Sequence, residues 1–185
     1  ALARILELAL SNDLEGKGWE FGQLASTIDA LNFQNPNNPD LVLQVGTKIL
    51  DAMYLQQKHY TTITPAEFEK NAEVEQIAGP HGTLLMVTIV SNDELVARYA
   101  RSATRGNADI VIQKKKSGNV QIYFRKSARL QRQMEETARL IQNAERRRRG
   151  KVPNSRRIWH EFPEGQMMFN GSSTAPNVPP TWLSL

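Results

Sequence analysis

The five residues Ala78-Gly79-Pro80-His81-Gly82 divide this sequence into two parts with different periodicity. Before them, apolar residues recur every three or four positions, which is the spacing of amphipathic helices. After them come short runs rich in β-branched residues, separated by turn residues, which is typical of strands. We therefore predict an α+β protein with a helical segment at residues 1–78 and a small sheet domain at residues 79–185.

The first part is predicted to be entirely helical. Residues 1–10 and 19–33 form two helices, and the loop of asparagine and proline residues at positions 35–39 separates the second from the next. Asp40 opens the longest helix, which extends to about residue 60. Thr64-Pro65-Ala66-Glu67 has the pattern of a capping box, and it predicts a further helix that ends near Ile77.

The second part predicts the order β-α-β-β-α-β. The strands are placed at residues 83–90, 108–115, 120–126 and 166–169, and the helices at residues 91–103 and 130–149. Ser117-Gly118-Asn119 between the second and third strands is a strong hairpin signal. We expect one small mixed sheet with helices on one face.

Charge differs sharply between the two parts. Residues 1–78 contain 5 Lys and Arg against 11 Asp and Glu, whereas residues 79–185 contain 18 against 8. A strongly basic half attracts polyanions from beyond contact distance, so an anionic partner is expected.

The sequence contains no cysteine, which excludes disulfides and thiol nucleophiles and makes the cytoplasm the default location. No apolar run approaches the roughly 20 residues that cross a bilayer, so no membrane interaction is expected.

Several short stretches occur in a recognisable order. They are residues 12–16 (Asn-Asp-Leu-Glu-Gly), 24–32 (Leu-Ala-Ser-Thr-Ile-Asp-Ala-Leu-Asn), 39–40 (Pro-Asp), 108–112 (Ala-Asp-Ile-Val-Ile), 118–122 (Gly-Asn-Val-Gln-Ile) and 169–173 (Phe-Asn-Gly-Ser-Ser). This sequence resembles the C-terminal portion of the melanocyte-proliferating-gene family, predicted metal-dependent hydrolases of the DHH phosphoesterase superfamily. The resemblance implies hydrolysis of phosphodiesters in RNA or nucleotides by metal-activated water. It also implies that residues 1–78 link to a preceding catalytic domain, that residues 79–185 form a substrate-binding lobe, and that this chain alone is inactive.

The same resemblance implies a Mn²⁺ or Mg²⁺ cofactor with Asp13 at the edge of the metal site. Hard divalent ions of this kind are held by carboxylates that share them with phosphate oxygens. The alternative is that Asn12, Asp13 and Glu15 form a turn that caps a helix, which their composition also favours.

The densest positive cluster consists of Arg146, Arg147, Arg148 and Arg149, at the end of the last predicted helix. A cluster of this kind binds phosphates with release of counterions, so the binding weakens steeply with salt. The alternative is that these arginines only complement the helix dipole and face solvent.

The turn Asn170-Gly171-Ser172-Ser173 is a second candidate phosphate-binding site. Consecutive backbone N–H groups and two hydroxyls in such a turn can surround an anion. The alternative is a turn without a ligand, since short glycine-containing turns are common.

The basic hairpin at Lys114-Lys115-Lys116 is followed by Tyr123 and Phe124, which suggests bases stacking on an aromatic ring beside cationic side chains. Adjacent strand residues point to opposite faces, so at most one ring lies on such a surface, and edge lysines also guard against aggregation.

No metal-ligand spacing relates the three histidines, His59, His81 and His160. The stretch 159–162 is interpreted as an anchor for the tail.

Two hypotheses of function follow from the sequence. The first is the phosphoesterase described above. The second is a non-catalytic module that binds nucleic acid through the basic half and contacts a protein partner, with a homodimer as one possibility, through the acidic helices.

Overall fold

A computed structural model describes residues 19–79, 82–149, 159–162, 166–171 and 180–183 of the 185-residue chain. The chain divides into two compact units, residues 1–63 and residues 64–185. The predicted helix at residues 1–10, Asp13, His81, Ser172 and Ser173 lie outside the described residues.

The first unit contains a pair of helices, α1 (Trp19–Gln34) and α2 (Pro39–Lys58), followed by a π-helical turn (His59–Ile63). Asn38 caps α2, because its Oδ1 accepts a hydrogen bond of 3.2 Å from the backbone N–H of Leu41. Pro39 is then the first helical residue, where its missing N–H costs nothing. Asp40 lies in the first turn, where its charge suits the helix dipole.

The second unit is a six-stranded sheet with three helices. In chain order its elements are α3 (Thr64–Asn71), β1 (Ala72–Gly79), β2 (Gly82–Val90), α4 (Val96–Arg101), β3 (Ile110–Lys114), β4 (Val120–Phe124), α5 (Ala128–Arg149), β5 (His160–Phe162) and β6 (Met167–Asn170). The strand order is β1-β2-β3-β4-β6-β5. Strands β2 and β3 are parallel, and the other neighbouring pairs are antiparallel.

The α+β class is confirmed, and the predicted β-α-β-β-α-β order is present from β2 to β6 with β5 inserted before the last strand. The helix predicted from residue 64 to Ile77 is present only as far as Asn71, and its continuation is wrong because residues 72–79 form strand β1. The Glu and Ala content of this stretch favours a helix locally. Pairing with β2 along the whole strand, with Val74 opposite Val87 and Ile77 opposite Leu84, overrides that preference.

The sheet is covered on both faces, which corrects the expectation of helices on one face. On one side, Leu130, Met134 and Ala138 of α5 pack against alternate residues of β4, namely Val120, Ile122 and Phe124. On the other side, Ala97 and Ala100 of α4 pack with Val111 and Tyr123. Since Ile122 and Tyr123 are adjacent in one strand, these two cores lie on opposite faces.

Candidate phosphate-binding site

One end of the sheet gathers most of the polar residues singled out by the sequence. The parallel strands β2 and β3 finish there side by side, and the backbone N–H of Ser91 donates to the carbonyl of Lys114 at 2.9 Å. Val120, the first residue of β4, pairs with Lys114 on one side and with Asn170, the last residue of β6, on the other. Ligands of sheet proteins commonly bind outside the carboxyl ends of parallel strands.

The hairpin lysines at this end have different environments. Lys115 forms an ion pair of 2.8 Å with the exposed Glu94. Lys116 is exposed, and its backbone N–H donates to Oδ1 of Asn92 at 3.0 Å. Lys114 is half-buried. The loop that follows β2 therefore holds the basic hairpin in position and neutralises one of its three charges.

Asn170 and Gly171 lie beside this hairpin. The side-chain amide of Asn119 donates to the backbone carbonyl of Asn170 at 2.7 Å, and the Asn170 side chain is fully buried. Gly171 has a φ of 77°, a left-handed conformation that favours glycine. Asn170 thus bridges β6 and the hairpin, and Gly171 follows it directly in a left-handed backbone conformation.

The four arginines at the end of α5 separate into two pairs. Nη1 of Arg148 donates to the carbonyl of Trp182 at 2.8 Å, and Nη2 of Arg149 donates to the carbonyl of Pro180. Arg149 also lies 4.9 Å from the centroid of the Trp182 ring. Arg146 and Arg147 are exposed, and neither side chain forms a hydrogen bond or ion pair with another described residue.

The buried carboxylate of Glu145 organises this end of the helix, and the sequence analysis missed it. It accepts hydrogen bonds from Nε of Arg149 at 2.6 Å, from Oγ1 of Thr181 at 2.5 Å and from the backbone N–H of Trp182 at 2.9 Å. Residues 180–183 form what we call the C-terminal strap. The spacing of Glu145 and Arg149 by four positions was the available sequence signal.

The C-terminal strap also reaches the basic hairpin. Gly118 in the hairpin turn has a φ of 86°, and a Cβ atom at this position would lie 3.2 Å from Cβ of Pro180. Pro180 in turn accepts a hydrogen bond from Arg149 of α5. The end of α5, the strap and the hairpin are therefore contiguous, so Arg146, Arg147 and the lysines belong to one end of the domain.

Tyr123 and Phe124 do not supply a base-stacking surface, because both are buried, with 8% and 1% exposure. The Tyr123 hydroxyl donates to Oε1 of Gln121 at 2.8 Å, and the Arg101 guanidinium lies 4.7 Å from its ring centroid. Burial, with a smaller contribution from Glu94, raises the pKa of Tyr123 to about 12 despite the opposing charge of Arg101.

The two described histidines belong to different units of the chain. His59 begins the π-helical turn of the first unit, and His160 lies in β5, where it stacks on Phe169 with ring centroids 5.5 Å apart. Within the described ranges, no three His, Asp or Glu side chains are grouped so that they could hold a metal ion.

Trp159, which precedes β5, is fully buried in the core beneath α5, as expected for an anchor.

Comparison with known proteins gave no match: no family model, no curated protein and no solved structure is significantly similar to this chain. Among the described residues, no helix is both long and apolar enough to span a membrane.

The Glu145 carboxylate makes attachment of the C-terminal strap dependent on pH. Burial alone would raise its pKa, but the hydrogen bonds from Thr181, Trp182 and Arg149 outweigh burial and hold the pKa below the ordinary 4.5. The resulting stabilisation is fully present above pH 4.5 and is lost as the pH falls through the lower folded value. We expect acid to release the strap, and the release is measured as a change in Trp182 fluorescence. Thr181→Val removes one of the hydrogen bonds to Glu145, so it should shift the midpoint of this change to higher pH. An unchanged midpoint in T181V would contradict this assignment.

Proposed function

We propose that this chain is the substrate-binding part of a DHH-type phosphoesterase that acts on phosphodiesters of RNA or nucleotides. The sequence resemblance supplies the reaction class. The observation that carries the binding role is the exposed Arg146–Arg147 pair, which the strap joins to the lysine hairpin at one end of the sheet. Phosphates attract such clusters without regard to base sequence.

Within this proposal the arginines have separate tasks. Arg148 and Arg149 are engaged by strap carbonyls, so they shape the surface. Arg146 and Arg147 keep their charges exposed and would contact phosphate oxygens. Asn170 and Gly171 lie beside the hairpin, and the predicted turn Asn170-Gly171-Ser172-Ser173 stays part of the proposal as a second phosphate-binding element.

A Mn²⁺ or Mg²⁺ ion would supply an activated water and neutralise phosphate charge. Asp13, the residue that the resemblance assigns to that ion, lies outside the described residues. Within the described ranges, no three His, Asp or Glu side chains are grouped so that they could hold the ion. We therefore assign no hydrolytic step to the described side chains. A cytoplasmic location is part of the proposal, since the chain lacks cysteine.

The alternative is a non-catalytic module that binds nucleic acid. It is favoured by the two-sided core of residues 64–185, because a sheet packed on both faces can present a basic surface without a second domain. The two hypotheses are distinguished by assaying the natural gene product, in the presence of Mn²⁺, for hydrolysis of a dinucleotide or of RNA. A folded protein that binds RNA but shows no Mn²⁺-dependent cleavage would favour the module.

The binding role is tested by Arg146→Glu/Arg147→Glu in the full chain, with single-stranded RNA as the probe. We expect affinity to fall about tenfold or more and the slope of log affinity against log salt to become shallower by about 1.4, because two phosphate contacts are lost. The matched control is Arg132→Glu/Arg139→Glu, which changes the same charge at two exposed positions earlier in α5. Equal losses in both variants would mean that only net charge matters and would refute a defined site.

A further inference from the structure

Helix α2 presents two apolar stripes, of which α1 covers one. Val42, Gly46, Ile49 and Met53 form the first stripe, all of them buried or half-buried. At its centre, a Cβ atom on Gly46 would lie 3.5 Å from Cδ1 of Ile28 in α1. The second stripe consists of Leu43, Thr47, Leu50 and Tyr54, all exposed. It is displaced by one residue, which is a rotation of about 100° around the helix.

The exposed stripe presents an almost entirely apolar surface, even though it includes the polar residue Thr47. Leu43 is 70% exposed, and Leu50 and Tyr54 are each 38% exposed. The hydroxyl of Thr47 donates to the carbonyl of Leu43 at 2.8 Å, so it needs no partner outside the helix and its methyl group is available for packing.

Few apolar side chains are buried in the part of the helix pair whose burial is described. Among residues 24–58, Leu24 is the only buried hydrophobic side chain, with 7% exposure. A helix gains most of its stability from packing an apolar face, so a second apolar stripe left in water indicates a partner.

The stripe is self-complementary when read in the opposite direction. In an antiparallel pair of α2 helices, Leu43 of one copy lies opposite Tyr54 of the other, and Thr47 lies opposite Leu50. Asp40 near the start of the helix then meets Lys58 at its end, so opposite charges face each other at both ends. A parallel pair would instead place like charges together. We propose that a second copy of this chain occupies the stripe, with a two-fold axis between Lys48 and Ile49.

This interface uses only residues of the first unit, so it is independent of the proposed phosphate-binding role. Two helices 8–10 Å apart along one stripe form an interface at the small end of the range for specific contacts. A dimer in the micromolar range is therefore expected, with the two basic units carried on one assembly.

The absence of cysteine from the sequence allows a direct test of the register. Chains carrying Thr47→Cys and Leu50→Cys are mixed and oxidised, and the rate of disulfide formation between them is compared with that of Leu43→Cys alone. In the antiparallel pair the first two positions are opposed, whereas the two Leu43 positions are about 16 Å apart along the axis. We expect the mixed disulfide to form about tenfold faster or more. Faster linkage of two Leu43→Cys chains would overturn the antiparallel arrangement.

Association itself is measured by light scattering after size-exclusion chromatography of the full chain at micromolar concentration. Leu43→Glu/Leu50→Glu is expected to weaken the dimer about a hundredfold or more, because the two-fold axis duplicates each buried unpaired charge. Leu140→Glu is the matched control, a leucine on α5 that is 56% exposed. Circular dichroism establishes that each variant is folded. A monomeric wild-type chain, or equal effects of both changes, would refute the proposal and leave the stripe to another partner.

Discussion

Replacing Glu145 with leucine is expected to lower the free energy of unfolding by about 3 kcal/mol. The substitution leaves the Arg149 guanidinium buried without its carboxylate, since the two side chains are only 9% and 1% exposed. It also removes the acceptor for the Thr181 hydroxyl and for the Trp182 N–H. Urea unfolding followed by circular dichroism measures the change.

The same variant has a local consequence that distinguishes anchoring from general stability. The strap should become accessible to proteases below the unfolding midpoint, because two of its attachments end on Glu145. Glu136→Leu is the control, an exposed glutamate of the same helix. Glu145→Leu/Arg149→Leu should recover part of the loss, since no buried charge is left unpaired. If E145L and E136L were equally stable, the buried ion pair would have no energetic role.

The β3–β4 hairpin and helix α5 were predicted correctly from local signals. The hairpin between β3 and β4 follows from the Ser117-Gly118-Asn119 turn, and its register places Ile112 opposite Ile122. Helix α5 follows from Leu130, Met134 and Ala138, which are spaced by four positions and all buried. In both cases the residues that form the structure are close together in the sequence.

The errors concern features that depend on distant residues. Strand β1 is fixed by its pairing with β2, not by its own helix-favouring composition. The placement of α4 and α5 on opposite faces depends on which side of the sheet each connection crosses. A pattern of apolar residues shows that a helix has a buried face, but it does not show which face of the sheet receives it.

The candidate site was only partly predictable for the same reason. The run of four arginines is evident from the sequence, and so is its tendency to bind phosphate. Arg148 and Arg149 differ from Arg146 and Arg147 because they donate to strap residues more than thirty positions away, although Arg148 is exposed as well. The buried carboxylate of Glu145 depends on the same long-range contacts.

Replacing Trp159 with alanine is expected to destabilise the second unit by about 3–5 kcal/mol, the usual cost of removing a large buried aromatic side chain. Trp159 is fully buried beside Met134 and Ala138 of α5, and it is the first described residue after the arginine-rich end of that helix. Its loss therefore opens a cavity between α5 and the sheet at the point where the chain returns to form β5.

Trp159→Phe separates packing from hydrogen bonding at this position. The indole Nε1 of Trp159 is buried without a hydrogen-bond partner among the described residues. Phenylalanine fills most of the volume and removes that unsatisfied donor, so its cost should be about 1 kcal/mol or less. Leu140→Ala, at a position 56% exposed on the same helix, is expected to change the free energy of unfolding by less than about 0.5 kcal/mol. A W159F variant as unstable as W159A would show that the indole N–H forms a bond essential to the fold. An apolar anchor is supported if the loss of unfolding free energy decreases in the order W159A, W159F, L140A. The first two variants differ in the volume that they leave filled, and the third differs from them in the burial of its position.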